Sequence, residues 1–180
     1  RQPNAGEIEI RVHASGLNFR DVLNALDLYP GDPGLLGGEC AGKITSIGEG
    51  VEGFEIGDPV IAIVPGSFSQ YVTINAAMVA PKPEQLSFEE AATLPVVFLT
   101  AYYTLHHLAK ISAGDRVLIH AATGGVGQAA IQLAQQAGAE VFGTASPHKW
   151  AFLKSLGVEQ MMNSRTLDFA EQVMASTSGE

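Results

Sequence analysis

The chain of 180 residues has one cysteine, one tryptophan and only 10 lysines and arginines against 19 aspartates and glutamates. Each scarcity excludes something. A lone Cys40 makes neither an internal disulfide nor a multi-cysteine zinc site, which suits a reducing compartment and a cytoplasmic setting. A formal net charge of −9 argues against a general nucleic-acid or anionic-membrane surface, because binding to phosphate backbones is carried by Lys and Arg. No apolar run approaches the ~18 residues of a membrane span, and no charged-then-apolar leader opens the sequence. What is present, at 46% hydrophobic residues, is enough for an ordinary globular core. Residue 1 lies a few positions before a strand pattern, so the sequence reads as a piece of a longer polypeptide.

The stretch that organises the rest runs from His120 to Ala130. Before it, Asp115 to Ile119 is a β-branched and aliphatic run that reads as a buried strand. After it, Val126, Ala129, Ala130, Leu133, Ala134 and Ala137 recur with the period of one helix face, until Gly138 offers a stop. Strand, glycine turn and helix in that order make a phosphate site, since the N–H groups of a first helical turn lack partners and sit at the positive end of the dipole. The spacing matches the dinucleotide fingerprint, with Ala122 in the first place, Gly124 in the second and Gly127 in the third. A second strand, Ala139 to Ala145, follows at the right distance. The bland reading is a tight turn that binds nothing.

The end of that second strand bears on the choice of cofactor. An NAD site expects Asp or Glu about 20 residues past the glycines, to take the ribose 2′-hydroxyl. The segment Thr144 to Lys149 holds no acid and does hold a cation, so it predicts NADPH, with Ser146 and Lys149 bonding the 2′-phosphate. Ser146 also reads as the N-cap of a helix with Pro147 at its first position, and Lys149 as a solvated charge. Both readings can hold at once.

The first half reads as β. Glu7–His13 and 41–47 alternate polar and apolar residues, and 60–64 and 69–74 form further strands between glycine and proline turns, the pattern of a small barrel. Beyond Pro81-Lys82-Pro83 the pattern changes to helix alternating with strand, starting at an N-cap, Ser87, followed by acids. The expected domains are 1–85 and 86–180, with the boundary in the stretch 83–95. A third strand is expected at 158–162, then a helix with Leu167, Ala170, Val173 and Met174 on one face.

Four separated blocks carry a family resemblance: Gly16 to Leu23, Leu94 to Tyr103, His120 to Ala130 and Thr144 to Trp150. As a set they resemble the enoyl reductase domains of modular polyketide synthases, a zinc-independent, quinone-oxidoreductase-like branch of the medium-chain dehydrogenase/reductase superfamily. The resemblance implies an α/β architecture, a GroES-like β-barrel domain followed by the first half of a Rossmann doubly wound parallel sheet, truncated at the C-terminus. It implies NADPH as cofactor, and hydride delivery to the β-carbon of an α,β-unsaturated acyl thioester followed by protonation of the α-carbon. The partners it implies are an enoyl substrate held on an acyl carrier protein and neighbouring synthase domains. The alternatives are an NADPH:quinone or alkenal reductase, and a cofactor-binding fragment without its own activity.

Metal chemistry is disfavoured by the same alignment of motifs. Zinc-dependent members carry a Cys and a His where this sequence matches with Asn18 and Gly38. Without a Lewis acid the developing enolate needs hydrogen-bond donors or a proton source. Tyr29, before Pro30-Gly31, is the candidate proton source; the resemblance implies that a Tyr here goes with one stereochemical outcome at a branched α-carbon, and an aromatic packed beside a turn is its structural alternative. By position, Asn18 and Thr100 resemble residues lining the nicotinamide and ribose side, and Thr123, Gly124, Gly125, Val126 and Gly127 the pyrophosphate loop. Arg165 resembles a second 2′-phosphate contact, or is a surface Arg before a helix capped by Thr166.

Overall fold

The computed structural model describes residues 2–32 and 34–179. The chain separates at the Val96–Val97 bond into two compact units.

The first unit is built on a five-stranded antiparallel sheet of order β4-β1-β2-β3-β5. Its strands are β1 (Glu7–Ser15), β2 (Glu39–Ile47), β3 (Pro59–Ile63), β4 (Tyr71–Asn75) and β5 (Val79–Pro81). Along β1 the alternation in the sequence becomes alternation of faces: Ile8 and Ile10 are buried while Arg11 is exposed. Ile8 and Ile10 join Cys40, Ile44, Val60, Ala62, Val64 and Val72 in one core. Register shifts between β1 and β2 at Glu9/Ile10 and at Val12/Ala14 are the irregularities by which such a sheet bends.

The expected strands are all there, with ends displaced by one to a few residues. Neither β5 nor a helix at Phe19–Ala25 was anticipated. β5 has three residues, one of them proline, too short to show a period. The helix α1 (Phe19–Ala25) is hidden because its flanking apolar residues, Leu17 and Phe19, face outward. The short α2 (Phe88–Ala91) has the expected cap: Ser87 Oγ accepts from Glu90 N–H at 3.1 Å, and the Glu90 carboxylate accepts from Ser87 N–H at 2.8 Å. Through Ala91 and Ala92 it packs on Ala41 of β2.

The second unit holds a three-stranded parallel sheet of order β6-β7-β8: β6 (Arg116–Ile119), β7 (Glu140–Ala145) and β8 (Gln160–Asn163). The helix α3 (Pro95–Tyr102) starts at the division and runs into one π-helical stretch, Tyr103–Leu108. There Tyr102 packs on His106 and Tyr103 stacks on His107, so the two adjacent histidines have separate partners. The crossover from β6 to β7 is α4 (Gly125–Gln136), which buries Gly127, Ala129, Ala130, Ile131 and Ala134. Small residues on that face let the helix lie close to the sheet. α5 (Trp150–Ser155) and α6 (Phe169–Ser176) complete the unit. The third strand sits two residues later than its expected start.

Two capping expectations are corrected. Ser146 precedes a single 3₁₀ turn, Pro147–Lys149, with proline at its start as expected, but its side chain makes no cap hydrogen bond. Thr166 does not cap the last helix; Asp168 stands at that position. The Ser146 hydroxyl accepts from Arg165 Nε instead, at 3.4 Å.

Candidate cofactor site and its supports

β6 ends at Ile119, and the chain must reverse at once to send α4 back over the sheet. Ala121 makes this possible by adopting a left-handed backbone, φ +48°, which costs a non-glycine residue roughly 1–2 kcal/mol. The turn is closed by Gly124 N–H donating to Ala121 O at 2.8 Å and tied to the next strand by Ala122 N–H donating to Thr144 O at 2.9 Å. Gly124 is the N-cap of α4 and brings no side chain to it, and the first turn carries no acid. The helical ladder reaches back to the cap through Gln128 N–H, which donates to Gly124 O at 2.9 Å. Gly125, Val126 and Gly127 therefore form a first turn whose N–H groups lie outside the i→i−4 ladder. Thr123, in the turn itself, accepts from Gln128 Nε2 through its carbonyl at 3.0 Å.

The two fingerprint glycines have different tasks. A Cβ on Gly127 would lie 2.6 Å from Ala121 O and 2.7 Å from Ala122 Cα, so this glycine is required for helix and turn to touch. A Cβ on Gly124 would meet only Ala121 O, at 3.2 Å, and otherwise open space. That is the cradle an approaching phosphate needs: exposed backbone, no side-chain cap, no competing carboxylate, at the positive end of a twelve-residue helix.

The ends of the neighbouring strands supply the rest. Parallel register pairs Ile119 with Gly143 and Ala145 with Asn163, so the carboxyl ends of β6, β7 and β8 lie along one edge. Ser146 follows β7, and Arg165 follows β8 by two residues. Arg165 Nε donates to Ser146 Oγ at 3.4 Å, which brings these two candidates together. Lys149, exposed, closes the same turn with its N–H on Ser146 O at 2.8 Å. Ligands of parallel sheets bind beyond this edge. Thr100 is exposed on α3, where its carbonyl accepts from Thr104 Oγ1 at 2.9 Å.

Asn18 and Tyr29 belong to the first unit. Asn18 stands at the start of α1, its N–H held by the Asp21 carboxylate at 2.9 Å and its Nδ2 donating to Glu39 Oε1 at 2.8 Å. Tyr29 is half-buried in the loop after α1, with the Arg20 guanidinium 5.4 Å from its ring centroid. Left-handed residues on either side, Asp27 and Gly31, shape that loop, and Asn24 Nδ2 donating to Gly34 O at 3.1 Å ties it back to the helix. Gly38 offers no ligand side chain. Among the described residues, no three His, Cys, Asp or Glu side chains gather as a metal site, and no helix is long and apolar enough to cross a membrane.

Two residues of this neighbourhood escaped the sequence reading, Asp21 and Glu39. Both are buried carboxylates. Asp21 Oδ1 accepts from Gly37 N–H at 2.8 Å, and Glu39 Oε2 from Val96 N–H at 2.8 Å. These two partners lie 16 and 57 residues away, although Asp21 also has a local one in the Asn18 N–H. The signals available were the capping-box spacing of Asn18 and Asp21 and, for Glu39, an acid inside an otherwise small and apolar stretch, Gly37 to Gly42.

Comparison with known proteins agrees with this geometry. Residues 4–84 match the alcohol dehydrogenase GroES-like domain and residues 125–180 match the family described as zinc-binding dehydrogenase. The chain is 46% identical over 182 residues to a phenolphthiocerol/phthiocerol polyketide synthase of Mycobacterium tuberculosis, covering 99% of this chain and 8% of that protein. It is 47% identical over 176 residues to the pikromycin polyketide synthase component PikAII of Streptomyces venezuelae, covering 97% of this chain and 5% of that protein. The chain thus spans only a small part of the length of these relatives. Among solved structures, the CurK enoyl reductase superposes with a TM-score of 0.94 at 55% identity, over 100% of this chain and 58% of that one.

Proposed function

Because this chain belongs to the medium-chain dehydrogenase/reductase superfamily, on the branch of polyketide synthase enoyl reductase domains, we propose that it carries the NADPH-dependent reduction of an α,β-unsaturated acyl thioester. Its antiparallel unit is the GroES-like domain and its parallel unit is Rossmann-like, in a family of NAD(P)-dependent enzymes. The first unit serves as the substrate domain and the second as part of the NADPH-binding domain. The substrate is held on an acyl carrier protein and neighbouring synthase domains are its partners, the whole working in the cytoplasm.

The observation that carries this reading is the edge of the parallel sheet. An uncapped, acid-free helix start follows β6, and a serine and an arginine in contact follow β7 and β8. The N–H groups of Gly125, Val126 and Gly127 take the pyrophosphate, with Gly124 letting the backbone come close and Thr123 beside it. Ser146, Arg165 and Lys149 take the 2′-phosphate, for which an acid at the end of β7 would be repulsive. Asn18 and Thr100 line the nicotinamide and ribose side.

NADPH, when bound, supplies a hydride to the β-carbon of the thioester. The chain's own contribution to the second half of the reaction is a proton. The Tyr29 phenol gives its proton to the α-carbon as that carbon becomes basic. The Arg20 guanidinium, 5.4 Å from the ring centroid, packs against the donor's ring. The test is NADPH consumption with an enoyl thioester in the gene product that carries this chain. Turnover of a free quinone in its place would move the activity to quinone reduction, and tight NADPH binding without either turnover would make the chain a cofactor-binding module.

A further inference from the structure

Glu39 is 2% exposed, yet both of its carboxylate oxygens have a defined partner. Oε1 accepts from Asn18 Nδ2 and Oε2 from Val96 N–H, each at 2.8 Å. Gly16 seats it: a Cβ there would fall 2.3 Å from Oε1 and 2.6 Å from Ala92 O, and Gly16 N–H donates to Glu39 O at 3.3 Å. Burying a carboxylate carries a desolvation cost that an apolar residue would not. What a carboxylate supplies in return is chemical asymmetry. It accepts on both oxygens and donates on neither, so the amide of Asn18 can meet it only through nitrogen.

We propose that Glu39 is a positioning residue for Asn18: it fixes the orientation of the Asn18 amide toward the nicotinamide half of the cofactor. The inference rests on the reading, given above, that Asn18 lines that half. The backbone N–H of Asn18, held by Asp21, and the side-chain N–H, held by Glu39, clamp the residue at both ends. A glutamine at position 39 has one acceptor for two N–H donors. It must either release Val96 or let the Asn18 amide turn.

The experiment is a double-mutant cycle on cofactor affinity in the gene product that carries this chain, read by NADPH fluorescence. 2′,5′-ADP, which lacks the nicotinamide half, is the control ligand. Asn18→Ala and Glu39→Gln are each expected to weaken NADPH roughly tenfold, the loss of one hydrogen bond from the Asn18 amide to the cofactor. The double variant is expected to be no weaker than Asn18→Ala alone, with 2′,5′-ADP affinity unchanged throughout. Full additivity, or a Glu39→Gln protein with unchanged NADPH affinity beside a weakened Asn18→Ala protein, overturns the inference and leaves the reading of Asn18 standing. An Asn18→Ala protein with unchanged affinity overturns that reading and the inference with it. Asn18→Asp provides a second arm that leaves Glu39 in place: it sets a carboxylate against Glu39 and is expected to weaken NADPH at least as much as Asn18→Ala, so unchanged affinity there overturns the inference as well.

Discussion

Arg165 Nε donates to Ser146 Oγ at 3.4 Å, joining the ends of two adjacent parallel strands. The contact gives the chain a cation and a hydroxyl where an NAD-specific site needs an acid. Replacing Arg165 with Ala removes the cation and should raise the dissociation constant of NADPH roughly tenfold while leaving NADH unchanged. Titration of both cofactors against the variant checks this; equal losses for the two would show that Arg165 does not read the 2′-phosphate.

The fingerprint glycines separate folding from binding. Gly127→Ala drives a Cβ into backbone at 2.6 Å, so the expected cost is about 1–3 kcal/mol of stability, seen as a lower thermal midpoint. Gly124→Ala meets one atom at 3.2 Å and should fold nearly as well, but weaken NADPH by obstructing the phosphate. A Gly124→Ala protein that binds NADPH normally would place the phosphate elsewhere.

Tyr29→Phe keeps the ring under Arg20 and removes only the hydroxyl. Stability should be unchanged, while the rate of thioester reduction falls or the configuration at a branched α-carbon changes. Product analysis on a chiral column alongside the rate distinguishes the two outcomes, and no change in either would remove Tyr29 from the mechanism.

Burial, with the Glu39 carboxylate beside it, pushes the Cys40 thiol up from its ordinary 9.0 to about 12. The folded state therefore favours the protonated thiol. That contribution is complete below pH 9 and is lost as pH rises from about 9 toward 12, at up to about 1.4 kcal/mol per pH unit. Denaturant midpoints measured across this range should fall less steeply in Cys40→Ala than in the parent. The native thiol should also resist alkylation at pH 8 and react only once the protein is unfolded.

What was legible in the sequence followed periodicity. The alternation of Glu7–His13 and the helix period from Val126 to Ala137 mark the antiparallel sheet and the helix that crosses the parallel one, because each element buries one face. What was not legible depended on distant partners. Ser146 carries the local signature of a cap, but its hydroxyl turns to Arg165, 19 residues on. Glu39 looks like a polar interruption of a strand until Asn18 and Val96 are placed against it. The short strand Val79–Pro81 exists because β3 offers it an edge, not because three residues specify it.

The central claim is thioester reduction with NADPH. Its most direct test is the loss of NADPH absorbance with a crotonyl thioester, measured on the gene product that carries this chain, with a free quinone in a parallel cuvette. The account predicts rapid consumption with the thioester and slow or no consumption with the quinone. Consumption with the quinone alone would contradict it.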